Sequence, residues 1–106
     1  MSLDVSLRRR GKALYDGNIT HNLSDMADAA ELYGVLWEPS DTGITTARDL
    51  IVPLTAGLNR LESSPEYFRA YNAPNGWGTY ESLVEFVREY LRAARRYPDA
   101  RVEVWR

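Results

Sequence analysis

Residues Tyr71 to Arg96 read YNAPNGWGTYESLVEFVREYLRAARR, and this stretch decides the fold. Its second half places Leu83, Val84, Phe86, Val87, Tyr90, Leu91 and Ala94 on one face at helical spacing. Glu81, Glu85, Arg88, Glu89, Arg92 and Arg95 fill the other face. The acids come early and the arginines late, which suits the helix dipole, and Pro98 ends the run. A helix this amphipathic needs a second apolar layer to cover its buried face.

The chain ends supply that layer. Leu3, Val5 and Leu7 alternate with Asp4, Ser6 and Arg8, the pattern of a half-buried strand. Arg9-Arg10-Gly11-Lys12 forms a polar turn with a glycine for positive φ, and Ala13-Leu14-Tyr15 returns as a short second strand closed by Asp16-Gly17. At the other end Val102 and Val104 alternate with Arg101, Glu103 and Trp105. A hairpin alone is marginal, so the terminal strand is expected to pair with it.

Between these ends lie further helical segments. Asn22 or Ser24 caps a helix whose core face is Met26, Ala27, Ala30 and Tyr33, with Gly34 ending or bending it. Val35, Leu36 and Trp37 follow as an apolar cluster. Thr46 with Asp49 three residues on resembles a capping box ahead of Leu50, Ile51, Leu54, Leu58 and Leu61. Pro53 sits inside that pattern and predicts either a kink or a helix that starts late, with Pro53 in its first turn. Ser64-Pro65 opens a short helix expected to turn Tyr67, Phe68 and Tyr71 inward. The fold class is therefore α+β: about three antiparallel strands packed against three to four helices, in one domain over residues 1–106.

Composition narrows the function. The net charge of −2 favours neither nucleic acid nor an anionic membrane, and three arginines on one turn are too local to make the several phosphate contacts that affinity needs. With no cysteine and a single histidine, neither a metal nor another cofactor is expected. No long apolar run and no apolar h-region is present, so the expectation is a cytoplasmic protein away from the membrane.

Two motifs carry a resemblance. Asn18-Ile19-Thr20-His21-Asn22-Leu23 and Asn75-Gly76-Trp77-Gly78-Thr79-Tyr80 are similar to the paired signatures of a family of small bacterial and phage-borne proteins. The similarity runs from about Tyr15 to the C-terminus and takes in Pro65-Glu66-Tyr67-Phe68. No activity is established for that family, so the resemblance implies a mobile-element context and supplies no catalytic residue.

The same motifs hold the candidate site. His21 is either a general base or hydrogen-bonding ligand group, since an imidazole titrates near neutrality, or a histidine satisfying backbone groups at a helix start. In the loop, Gly76 and Gly78 let the backbone approach another group closely, Asn72 and Asn75 offer donors and acceptors, and Trp77 and Tyr80 offer stacking faces. The plainer alternative has Trp77 plugging the core and the asparagines capping turns. Candidate ligand-binding residues are Thr20, His21, Asn22, Asn72, Asn75, Trp77 and Tyr80.

Two functions follow. One is a non-enzymatic interaction protein with a protein partner, presenting an exposed Trp37 or Trp105. The other is a small-polar-ligand or nucleotide-like binding protein, or weak enzyme, around His21 and Trp77. A homodimer through a free sheet edge or exposed tryptophan stays open.

Overall fold

In the computed structural model, which describes residues 1–106, the N-terminal alternation becomes β1 (Ser2–Arg9). It turns through Arg10 and Gly11, both at positive φ (54° and 78°), into β2 (Lys12–Thr20). Two successive left-handed residues form the tight turn whose twist matches a hairpin. β2 is longer than the expected Ala13–Tyr15 strand, because Gly17 does not close it. Gly17 lies in the ladder opposite Val5, where a Cβ would sit 3.1 Å from Val5 Cγ2 and 3.2 Å from Phe86 Cε1. A register shift between Leu7 and Arg8 leaves Leu14 as the extra residue of a bulge.

The sequence beyond β2 divides into more helices than expected. They are α1 (Ser24–Ala29), α2 (Tyr33–Trp37), α3 (Arg48–Ser63), α4 (Pro65–Arg69) and α5 (Tyr80–Arg96), followed by β3 (Arg101–Trp105). The expected helix through Tyr33 stops early because Glu31 takes a left-handed φ of 60°. Leu32 N–H then donates to Ala27 O (2.7 Å) and Glu31 N–H to Asp28 O (3.0 Å), the two bonds of a Schellman stop built without glycine. Arg60 secures it from α3, donating to Ala30 O (3.2 Å) and pairing with Glu31 (3.2 Å).

α3 does not start late. It begins at Arg48 and runs through Pro53, with the Asp49 carboxylate accepting from the Thr45 and Thr46 amides (3.1 and 3.2 Å). Those backbone donors hold the Asp49 carboxyl below the usual carboxylate range. In α4 only Phe68 turns inward. Tyr67 is 59% exposed and packs edge-on against Phe68 and Tyr71, which is also exposed. A five-residue helix offers one inward position, and Phe68 takes it.

α5 buries every residue of its expected face, with Thr79 accepting from Ser82 N–H as its cap (3.2 Å). The sheet order is β2-β1-β3, all antiparallel, with Leu7 opposite Val102 and Val5 opposite Val104. The helices pack on the face carrying Leu3, Val5 and Leu7, and one cluster of 28 buried residues forms the core. The stacking of Tyr15 on Tyr90 ties β2 to α5. Burial pushes the Tyr90 phenol well up from its usual value, and its hydroxyl has no hydrogen-bond partner. No helix is long and apolar enough to cross a membrane.

Candidate functional site

The two motifs meet at the end of the hairpin away from its turn. Thr20 ends β2, and its hydroxyl accepts from Asn22 N–H (3.2 Å), shaping residues 21–23 into one 3-10 turn. The Asn22 side chain donates across to Trp77 O (2.8 Å), and Asn75 Oδ1 accepts from Trp77 N–H (2.9 Å). Asn72 Oδ1 accepts from the first amide of α5, Tyr80 N–H (2.8 Å). Gly78, at φ 136°, lies against Leu23 and Asn22, where a Cβ would stand 3.2 to 3.4 Å from their side chains. The loop is thus clasped onto the turn by Asn22 and Gly78 and braced from within by Asn72 and Asn75, whose roles are first of all structural.

Trp77 does not plug the core. It is 72% exposed, at the tip of that clasped loop. Trp37, offered by the sequence as a surface anchor, is 3% exposed, stacked on Tyr33 at 5.3 Å with His21 edge-on at 6.1 Å. Its helical neighbours Val35 and Leu36 are buried with it, so the apolar cluster is core. Trp105 is half exposed. Tyr80 offers no stacking face to a ligand, because it is buried, its hydroxyl donates to Leu61 O (2.7 Å) and Arg69 covers its ring at 4.9 Å.

Beside the clasp lies an open hollow of about 530 Å³ whose polar lining includes His21, Asn22, Ser24, Asp25, Asn72 and Asn75. A second, of about 230 Å³, runs along Ser24, Asp25, Asp28 and Tyr33. A third, of about 250 Å³, lies between His21, Ser24, Tyr33, Trp37 and Arg106. All three share Ser24, so they adjoin as one groove along the start of α1. Of the candidates, the structure brings His21, Asn22, Asn72 and Asn75 to this groove, whereas Thr20, Trp77 and Tyr80 do not line it. Ser24, Asp25, Tyr33, Tyr71 and Arg106 line it without having been singled out as site residues. The adjacency of Ser24 and Asp25 to the histidine motif was the available signal. Nothing in the sequence linked Arg106 to His21.

The electrostatics divide the groove. Asp25 and Asp28 form no ion pair. The Tyr67 hydroxyl beside Tyr71, and then the charges of Asp25 and Asp28, push the Tyr71 phenol above its usual value. At the far end Arg106 reaches Glu38 at 3.5 Å. His21 Nε2 is buried without a hydrogen-bond partner, so it bonds neither to Ser24 nor to Asp25. A nucleophile–base–carboxylate chain is therefore not assembled here. No three His, Asp or Glu side chains converge to hold a metal ion.

No family model matches the chain, and no curated protein or solved structure is significantly similar to it.

Proposed function

We infer that this chain is a non-enzymatic binding protein that takes an extended segment of a protein partner along the groove centred on Ser24. The observation that carries it is the adjoining of three open hollows, of mixed polar and apolar surface, at one residue. Compact ligands are ordinarily held in enclosed pockets, whereas an open groove of mixed surface suits a chain that lies along it and alternates polar and apolar contacts. Trp77 does not line the groove, but its carbonyl is bonded to the groove residue Asn22, so its exposed ring offers an aromatic anchor next to the groove for the same segment. Asp25 and Asp28, unpaired beside Tyr33 and Tyr71, call for a basic side chain in that segment.

The test is selection from a displayed random-peptide library on the folded protein. Enriched peptides are expected to share a basic residue, and to bind at least tenfold more weakly to Trp77→Ala and to Asp25→Asn/Asp28→Asn. Failure to enrich any sequence, or binding indifferent to both variants, would overturn it.

One observation favours a second function. His21 lines two of the hollows, and a small polar ligand held there would lie beside its ring. A thermal-shift screen against nucleotides and sugars tests this, since a ligand at a hundred times its Kd adds about 2.7 kcal/mol. A hit lost in a folded His21→Ala variant establishes the second function, and a flat screen removes it.

A further inference from the structure

The composition argued against nucleic acid on two grounds, a net charge of −2 and a basic turn too local for several phosphate contacts. The fold removes both. Antiparallel pairing sets Arg101 of β3 opposite Arg8 of β1. Backbone bonds from Ala47 N–H to Ala100 O and from Arg48 N–H to Pro98 O, both 2.9 Å, bring Arg48 to the same end. Arg9 and Arg96 both lie over the Tyr97 ring, at 5.9 and 5.5 Å. Seven of the chain's thirteen basic residues, Arg8, Arg9, Arg10, Lys12, Arg48, Arg96 and Arg101, therefore gather around the hairpin turn. Asp4, Asp16, Asp49, Asp99 and Glu103 are the acids within four residues of them in sequence, which leaves six basic against ten acidic residues for the rest of the chain.

The acids at this end are largely engaged. Asp49 caps the Thr45 and Thr46 amides, Asp99 pairs with Arg9, and Glu103 lies 3.7 Å from Arg8. Arg10, Lys12, Arg48, Arg96 and Arg101 make no ion pair. Arg8, Arg9, Arg10 and Arg101 line an open hollow of about 450 Å³ there. Five uncompensated cations on four chain segments exceed what one phosphate monoester needs and match a polymer of phosphates. The turn carries none of the large exposed hydrophobic side chains that would anchor it in a bilayer.

We propose that the hairpin-turn end of this protein binds the phosphate backbone of nucleic acid, independently of base sequence, at the opposite end of the β1–β2 hairpin from the Ser24 groove. Contact is through guanidinium groups and one ammonium, so affinity falls steeply with salt.

The test is fluorescence anisotropy of a labelled 20-nucleotide single strand and its duplex, titrated with the full chain between 25 and 200 mM KCl. For three to four phosphates neutralised, log K against log salt is expected to slope at about −3 on the duplex. Arg10→Glu/Lys12→Glu changes two exposed side chains that make no ion pair. It should weaken binding at least tenfold at 50 mM salt and flatten the slope by about 2. Arg88→Glu/Arg106→Glu changes the net charge equally but away from the turn, and should leave the slope unchanged. Absence of binding by the unaltered protein at 25 mM salt would overturn the proposal. So would equal losses in the two double variants, or capture by phosphatidylserine vesicles without capture by either nucleic acid.

Discussion

Gly57 is the position where one added methyl group has the most to disturb. It lies in the middle of α3, and a Cβ built there would stand 2.4, 2.5 and 2.7 Å from Cδ2, Cγ and Cδ1 of Leu32. Leu32 is fully buried and follows the left-handed Glu31, so it sets how α2 leaves α1 and where Tyr33 reaches the groove. Two effects of Gly57→Ala oppose each other. Alanine is favoured over glycine inside a helix by about 1 kcal/mol. Overpacking a filled core costs about 1 to 3 kcal/mol, and the contact with the branched Cγ places this case in the upper part of that range. The net expectation is destabilisation by about 1 to 2 kcal/mol, or a Tm lowered by about 5 to 15 °C for a domain of this size. Circular dichroism melting measures it directly. In a Leu32→Ala background the clash is gone, and the same Gly57→Ala change should raise Tm, with a coupling energy of about 2 to 3 kcal/mol. A raised Tm in the unaltered background, or no coupling, would refute the packing of α3 on the α1–α2 junction.

Glu31→Gly should stabilise the protein by about 1 kcal/mol, because glycine adopts the left-handed conformation without strain and the exposed Arg60 pair it loses is weak. A lower Tm in that variant would show the Arg60 contacts to matter more than the strain. Tyr90→Phe removes a buried hydroxyl with no partner, so Tm should hold or rise, and a fall of more than a few degrees would reveal a partner for it. The Asp49 carboxyl is held below its unfolded value by the Thr45 and Thr46 amides, so its contribution is present above the unfolded carboxylate pKa and lost as pH falls through the folded one. The Tm gap between the unaltered protein and Asp49→Ala should therefore be widest near neutrality and close in acid; a gap independent of pH would remove the carboxylate from the cap.

Where a period runs through a whole element, the sequence alone determined the outcome, although neither Asn22 nor Ser24 caps α1. The buried face of α5, the alternation of β1 and β3, the Asp49 cap and the α+β class follow from spacing, because side-chain direction repeats at fixed intervals along helix and strand. Asn22 joins the two motifs through the Trp77 carbonyl, while Asn75 and Asn72 brace the loop from within. What only the tertiary structure decided depends on residues far apart in the chain. The left-handed Glu31 that stops α1 carries no glycine signal, and Arg60 braces it from α3. The need for glycine at 57 comes from Leu32, and at 17 from Val5 and Phe86. Trp37, expected at the surface, is buried, and Trp77, left open between core and surface, is exposed, since a tryptophan's burial depends on what packs over it and periodicity in a short segment cannot report that. The charge of the hairpin end is likewise a sum over segments brought together by the sheet, which a whole-chain total of −2 conceals.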